Sequence, residues 1–220
     1  PELSRALMES ICASGVDVVD IGMVPTPLGY FAAHHLKTGS AVLVTGSHNP
    51  PDYNGLKMMI AGETLSGDAI QKLHQRLLDN DLVSGNGKVT QADVRDAYLD
   101  RITGDVKLAR KMRIAVDCGN GVAGELAPQL LKRLGCDVTE LYCKIDGTFP
   151  NHHPDPSKPE NLVDLIAEVK KGGYDAGLAF DGDGDRLGVV SPDGSIIWAD
   201  RQMILYARDV LSRHPGGEII

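Results

Sequence analysis

The sequence predicts an α/β protein made of tandem βαβ-type domains, whose mixed sheets are flanked by helices. The main observation is that strand-like apolar runs alternate with segments of helical period along almost the whole chain. A second observation is that two unusual loops, TGSHNPPDYNGLK and DGDGDR, each follow an apolar strand. In sheets of this kind ligands bind beyond the carboxyl ends of the strands, so both loops are candidate functional sites.

Composition and charge narrow the class of protein. The 220 residues suit two domains or one large domain. Acidic residues outnumber basic ones by 30 to 22, and Lys and Arg form no run, which argues against a nucleic-acid partner. We expect no signal peptide and no membrane span. Three of the four cysteines lie in or beside apolar runs and none forms a CxxC pair, which predicts buried, reduced thiols and a cytoplasmic location.

The first half of the chain alternates helices and strands. Its predicted elements, in order, are a helix at 3–14, a strand at 16–22, a helix at 26–37, strands at 41–46 and 55–61, and a helix with Ile70, Leu73 and Leu77 on one face. VPTPL at 24–28 is interpreted as a rigid turn into a helix, with Thr26 as a candidate cap. The polar, glycine-rich stretch at 79–91 is the best candidate for a linker or an exposed turn.

The second half repeats the alternation. Its predicted elements, in order, are a helix at 92–103, a strand at 112–118, the turn GNGVAG, a helix with Leu126, Leu130, Leu131 and Leu134, a strand at 136–142, a loop at 144–160, a helix with Leu162, Leu165, Ile166 and Val169, and strands at 175–180 and 186–190. In the loop, HHPDP suggests a metal site. Adjacent His152 and His153 would point to opposite faces of a strand, so we favour a structural loop.

The loop after the strand at 41–46 carries a candidate nucleophile. Ser47 follows that strand at a tight turn, which exposes its hydroxyl at the edge of the sheet, and His48 is adjacent. Asn49, Pro50 and Pro51 stiffen the turn. Ser and Asn are also common turn formers, and neither GxSxG nor the phosphate-binding GxxxxGK[ST] is present. The alternative is therefore a turn without chemistry.

Lys57 is unusual because it lies in an otherwise apolar strand. It indicates either an edge strand with one solvated face or an ammonium group that faces a phosphate or hydroxyl. A histidine in the position of His48, taken alone, is more often a polar loop residue than a base.

The loop after the strand at 175–180 carries a candidate metal site. Asp181, Asp183 and Asp185 alternate with glycines, and hard cations such as Mg²⁺ and Ca²⁺ prefer carboxylate ligands of this kind. A solvated acidic turn is the alternative, although three adjacent carboxylates repel one another without a cation. An EF-hand is excluded, because Arg186 occupies the sixth position, where that loop needs Gly. Arg186 adds a fixed positive charge suited to a phosphate.

Together these motifs resemble the α-D-phosphohexomutase family. TGSHNPPDYNGLK is similar to its phosphoserine loop and DGDGDR to its metal loop, and the two occur in the family's order. VPTPLGYFAA, GNGVAG and FPNHHPDPSKPENL extend the resemblance over nearly the whole chain. TGSHNP and DGDGDR resemble the bacterial phosphomannomutase/phosphoglucomutase branch more than the phosphoglucosamine mutases, which show ASHNP and DGDADR.

The resemblance implies a fragment of a four-domain phosphohexomutase. Residues 1–92 would form domain 1 without its N-terminal part, 93–195 domain 2, and 196–220 the start of domain 3. It implies that hexose 1-phosphate and hexose 6-phosphate are interconverted through a phosphoserine on Ser47 and a hexose 1,6-bisphosphate. The full-length protein would be a monomer.

The resemblance also implies the roles of the site residues. Mg²⁺ would be held by Asp181, Asp183, Asp185 and a phosphate oxygen on Ser47, with Arg186 adding positive charge. Lys57 is favoured over His48 as the proton carrier. Three rivals remain open: a phosphotransferase with an aspartate nucleophile, a non-catalytic sugar-phosphate-binding module, and a metal-stabilised domain without chemistry.

Overall fold

The protein is described by a computed structural model over residues 2–50 and 52–219. It divides into two compact units, Pro1–Ile102 and Thr103–Ile220. Both are α/β, which confirms the predicted fold class. In the described part of the chain, no helix combines the length and the apolar character that crossing a membrane requires.

The first unit contains two small sheets and four helices among its described residues. Its elements are α1 Glu2–Ala13, β1 Val18–Asp20, α2 Thr26–His35, β2 Ala41–Thr45, β3 Gly55–Ile60, β4 Glu63–Thr64, α3 Gly67–Leu78, β5 Val89–Gln91 and most of α4 Arg95–Asp105, which ends just beyond the boundary at Ile102. Antiparallel strands β2, β3 and β4 form one sheet, and parallel β1 and β5 form the other. The predicted helices and strands are present, while β4 and β5 were not predicted.

Helix α2 packs closely on β2 because it has a glycine at the contact. A β-carbon at Gly29 would lie 2.2 Å from Leu43 Cδ2, so a larger residue there would displace the Leu43 side chain. Leu28 is fully buried on the same helix. The predicted cap is wrong: Pro25 occupies the N-cap position without a capping side-chain bond, and Thr26 is the first, buried residue of α2. Pro27, the second residue of α2, suits the first turn because its fixed φ matches a helix and the N–H that it lacks would have no partner within the helix.

The stretch at 79–91 is not a plain linker. Its last residues form β5, and its glycines pack against the end of α1 before that strand begins. Gly85 N–H donates to the Ala13 carbonyl oxygen at 2.7 Å, and a β-carbon at Gly87 would lie 2.2 Å from the Val16 carbonyl oxygen. The glycines therefore serve a close backbone contact rather than flexibility.

The second unit is built on one five-stranded sheet. Its elements are β6 Arg113–Asp117, α5 Ala123–Arg133, β7 Asp137–Leu141, a 3₁₀ turn Pro159–Leu162, α6 Val163–Val169, β8 Ala176–Phe180, β9 Leu187–Val190, β10 Ile196–Ile197 and α7 Ala199–Arg213. The strand order is β10-β9-β8-β6-β7. Strands β6, β7 and β8 are parallel, and β9 is antiparallel to both of its neighbours, β8 and β10.

Both faces of β6 are buried, as expected for a strand inside a parallel sheet. Ile114 and Val116 pack with Ala123 of α5 on one face, while Ala115 packs with Leu165 of α6 on the other. The carboxyl ends of β6, β7 and β8 meet at one edge. Three segments begin there, which we name the β6 turn (residues 118–122), the β7 loop (142–158) and the acidic loop (181–186).

The four cysteines are free thiols. Cys118 and Cys136 are buried as predicted, whereas Cys12 and Cys143 are half-buried. The Cys118 and Cys143 sulfurs lie 3.5 Å apart, and that contact together with burial raises the pKa of the Cys118 thiol.

Replacing either of two helical glycines with alanine should change the free energy of unfolding, in opposite directions at the two positions. A β-carbon at Gly124 would lie 2.0 Å from the Cys143 carbonyl oxygen, whereas one at Gly104 would meet nothing within 4 Å. We expect Gly124→Ala to lower the free energy of unfolding by about 1–3 kcal/mol through overpacking. The control Gly104→Ala should raise it by about 0.5 kcal/mol. Urea unfolding measures both, and a shift of the same sign in the two variants would contradict the packing around α5.

Candidate active site

The serine loop, residues 46–54, joins β2 to β3, and Pro51 within it lies outside the described residues. Ser47 has φ of 52°, in the left-handed region that is uncommon for residues other than glycine. Its N–H donates to Thr45 Oγ1 at 2.8 Å, and Asn49 N–H donates to the Gly46 carbonyl oxygen at 2.9 Å. Local bonds thus hold a costly backbone conformation, which is typical of functional positions.

Gly46 allows the serine loop to fold back on itself. A β-carbon there would lie 2.6 Å from the Tyr53 carbonyl oxygen, so a larger residue would push the returning part of the loop away. The structure brings His48 to Ser47: the distance from Ser47 Oγ to His48 Nδ1 is 3.3 Å, at the long end of hydrogen-bond range. Both side chains are half-buried. His48 is therefore placed to orient the hydroxyl.

Lys57 lies on the packed face of its sheet. It is opposite Leu43, which contacts α2, and it shares a face with Met59, which is buried. The side chain of Lys57 is itself half-buried. Lys57 therefore shares a face of β3 with Met59, while Leu56 and Ile60 on the opposite face are exposed.

The acidic loop brings its three aspartates together. Asp181, Asp183 and Asp185 each offer an oxygen atom, and these atoms lie within 4.8 Å of one another. Asp181 is fully buried and Asp183 is 5% exposed, while Asp185 is exposed. Burying carboxylates is costly unless hydrogen bonds, positive charge or a metal compensate them. The donor set and its convergence fit a hard divalent cation.

Asp181 also determines the shape of the acidic loop. Its Oδ1 accepts the N–H groups of Asp185 and Arg186, both at 3.0 Å, and its carbonyl oxygen accepts Gly184 N–H at 3.1 Å. Arg186 Nε lies 4.0 Å from Asp181 Oδ2. One oxygen of Asp181 thus closes the loop, and the Arg186 guanidinium lies beside the acidic cluster.

The β6 turn and the β7 loop both contact the acidic loop. Gly182 N–H donates to the Pro154 carbonyl oxygen at 3.2 Å, and the Gly182 carbonyl oxygen accepts Val122 N–H at 3.0 Å. A β-carbon at Gly121 would lie 2.8 Å from the Gly182 carbonyl oxygen. The sequence analysis identified GNGVAG only as a turn, and spacing alone did not reveal these contacts.

HHPDP is a structural part of the β7 loop, as favoured from the sequence. His152 Nε2 lies 3.1 and 3.0 Å from the two carboxylate oxygens of Asp117, which is 1% exposed. Its Nδ1 lies 3.0 Å from the His153 carbonyl oxygen. Both ring nitrogens of His152 therefore face acceptors, which favours the doubly protonated imidazolium.

We expect His152 to titrate above its usual pKa of 6.5, chiefly because it hydrogen-bonds to Asp117, while partial burial opposes the shift. The sign follows from linkage: the stabilisation is fully present below pH of about 6.5 and is lost as the pH rises through the raised folded-state pKa. An NMR titration of the ring nitrogens measures the midpoint. Asp117→Asn should lower it, and a wild-type midpoint at or below 6.5 would contradict the ion pair.

The first unit thus presents a serine nucleophile candidate, and the second an acidic site suited to a metal at the carboxyl edge of an α/β sheet. Two family profiles match the chain: phosphoglucomutase/phosphomannomutase α/β/α domain I over residues 1–83, and domain II over residues 96–194. The chain belongs to the phosphoglucomutase/phosphomannomutase family, which confirms the resemblance drawn from its motifs.

Individual relatives agree with this assignment. The phosphomannomutase/phosphoglucomutase of Pseudomonas aeruginosa is 56% identical over 100% of this chain and 48% of its own length. A phosphoglucomutase of Neisseria gonorrhoeae is 55% identical with the same coverage. A solved family protein of Burkholderia thailandensis has a TM-score of 0.92 and 53% identity, covering 98% of this chain and 49% of that one. The chain spans about half the length of the curated relatives it matches.

Proposed function

We propose that the intact protein is a phosphohexomutase that interconverts hexose 1-phosphate and hexose 6-phosphate through a phosphoserine and a 1,6-bisphosphate. Mannose and glucose phosphates are the proposed substrates. The observation that carries the proposal is Ser47, held in a left-handed conformation next to His48 at the end of β2. A hydroxyl fixed at a strand end is the placement that a phosphoryl carrier needs.

The proposed reaction needs two transfers and no water. In the first, the bond between phosphorus and Ser47 Oγ breaks and a bond to the free hydroxyl oxygen of the hexose monophosphate forms, while the hydroxyl proton passes to a base. In the second, the other phosphoryl group of the bisphosphate returns to Oγ, and the proton goes back to the sugar oxygen. Positioning and charge stabilisation dominate such transfers.

Lys57 and His48 are the proposed proton carriers. Lys57 is favoured by the family resemblance, and its half-buried place on the packed face of β3 supports it. His48 contacts the nucleophile itself, so its proposed part is to orient Oγ. Arg186 contributes fixed positive charge toward a phosphate.

Mg²⁺ is the proposed metal, held by Asp181, Asp183 and Asp185 and, by family resemblance, by an oxygen of the phosphate on Ser47. The convergent carboxylate oxygens support a hard cation. When bound, such an ion acts as a Lewis acid toward phosphoryl oxygens. The buried place of Asp181, fixed by two backbone N–H groups, keeps the acidic loop in shape for it.

Other expectations belong to the same proposal. Domain boundaries at 92 and 195, a monomeric full-length protein, a cytoplasmic location and no nucleic-acid partner stay predictions. The choice of glucose or mannose over glucosamine rests on TGSHNP and DGDGDR and on the names of the relatives that are over 50% identical.

The test is turnover by the intact protein with Mg²⁺ and a trace of glucose 1,6-bisphosphate. We expect glucose 1-phosphate and mannose 1-phosphate to be converted to their 6-phosphates, and glucosamine 1-phosphate to be converted more slowly. No turnover of any of the three, with binding retained, would contradict the proposal and favour a sugar-phosphate-binding module. Preference for glucosamine 1-phosphate would overturn the substrate choice.

A further inference from the structure

We propose that Asp117 and His152 are a positioning pair that holds the acidic loop in its metal-binding conformation. The inference rests on the proposed metal site and adds two residues that are not metal ligands. The pair lies at the same sheet edge as the acidic loop, one residue in β6 and the other in the β7 loop.

The acidic loop is fixed on both sides at Gly182, between two proposed ligands. Its N–H donates to the Pro154 carbonyl oxygen, and its carbonyl oxygen accepts Val122 N–H, at 3.2 and 3.0 Å. Any displacement of Gly182 therefore moves the carboxylates of Asp181 and Asp183, which must converge to bind a cation.

The pair ties together the two segments that hold Gly182. Pro154 follows His152 by two residues in the β7 loop, and Val122 ends the β6 turn that starts after Asp117. The imidazole contacts both oxygens of the buried carboxylate at 3.0 and 3.1 Å. Asp117 Oδ1 also accepts Gly119 N–H at 2.9 Å, which fixes the start of the turn.

A second bond runs parallel to the pair: Asn151 Nδ2 donates to Asn120 Oδ1 at 2.8 Å. The two segments are also closely packed, since a β-carbon at Gly119 would lie 3.0 Å from Pro154 Cβ. In a close-packed contact of this kind, a shift of one segment is transmitted to the other. Loss of the ion pair should therefore reach Gly182.

The experiment measures Mn²⁺ binding to the intact protein by electron paramagnetic resonance, with Asp117→Asn, His152→Gln and the double variant. Residues that orient metal ligands indirectly typically affect affinity about 10–100-fold. We expect each single variant to bind Mn²⁺ at least about 10-fold more weakly, and the double variant to be no weaker than the weaker single one, because the residues act as a pair. Amide hydrogen exchange at Gly182 should become faster in the same variants.

Glu140→Gln is the matched control. Glu140 lies on β7 of the same sheet, and the substitution breaks its exposed ion pair with Lys132 of α5, which are 2.6 Å apart. The Mn²⁺ affinity should stay unchanged. Thermal melts identify variants that are folded at the assay temperature. His152→Gln leaves the buried Asp117 carboxylate without its cation and can unfold the protein for that reason. If His152→Gln unfolds, the Mn²⁺ affinity of Asp117→Asn is the deciding measurement.

Two outcomes would overturn the inference and are distinguishable. If folded Asp117→Asn had the Mn²⁺ affinity and the Gly182 amide exchange rate of the wild type, the pair would have no positioning role, while the proposed metal site would still stand. If the wild-type protein bound no Mn²⁺, both the metal site of the proposed function and the positioning role of the pair would be contradicted.

Discussion

Ser47→Ala is expected to lower mutase turnover of the intact protein by at least about 10³-fold, since loss of a covalent nucleophile typically removes several orders of magnitude. The β-carbon is retained, and the bond that holds the backbone at Ser47 comes from its N–H to Thr45 Oγ1 at 2.8 Å. The variant should therefore keep the fold and binding of hexose phosphate. Coupled-enzyme kinetics with glucose 1-phosphate measure the change.

Ser66→Ala is the control for Ser47→Ala in the same unit. Ser66 lies at the start of α3 and makes no capping bond through its side chain. Turnover should be that of the wild type. If Ser47→Ala retained more than about a tenth of wild-type activity, a margin of roughly 1.4 kcal/mol in the barrier, Ser47 would not be the nucleophile.

Asp183→Asn is expected to abolish metal binding. Asp183 is 5% exposed and close to the fully buried Asp181, so in the metal-free protein the two carboxylates repel each other. The substitution relieves that repulsion, and the metal-free melting temperature should stay the same or rise. The increase in melting temperature that Mg²⁺ gives the wild type should disappear, because ligands stabilise only the state that binds them. Turnover should be lost as well.

Asp193→Asn makes the same change of charge away from the acidic cluster. Asp193 lies in the turn between β9 and β10, where its side chain accepts bonds from Ser191 and Ser195. It should keep the response to Mg²⁺. A result in which Asp183→Asn lowered the melting temperature but left activity intact would support the rival of a metal-stabilised domain without chemistry.

The sequence predicted most elements of the fold because their periodicity is local. The strand at β6 and the helix face of α6 were both visible from neighbouring residues. Strand β5 was not visible, because its three residues, Val89–Gln91, are all exposed and form no apolar run. It is a strand because it pairs with β1 about seventy residues away, next to the bond from Val18 N–H to the Lys88 carbonyl oxygen at 2.9 Å. Side-chain patterns carry little information about such a contact.

The site was predictable to the extent that its chemistry lies within short loops. Asp181, Asp183 and Asp185 are close in space because they are close in sequence. Asp117 and His152 are 35 residues apart and meet only because β6 and β7 are parallel neighbours. That adjacency depends on the order of strands in the sheet, and strand order cannot be inferred from a single sequence by its local patterns.

The most direct test of the central claim is peptide mass spectrometry of the intact protein after incubation with glucose 1,6-bisphosphate and Mg²⁺. We expect one phosphate on the peptide that contains Ser47, stable to mild hydroxylamine and absent from Ser47→Ala. An unmodified Ser47 peptide would contradict the phosphoserine mechanism. A phosphate that hydroxylamine releases would contradict it as well, because that lability is the behaviour of an aspartyl phosphate.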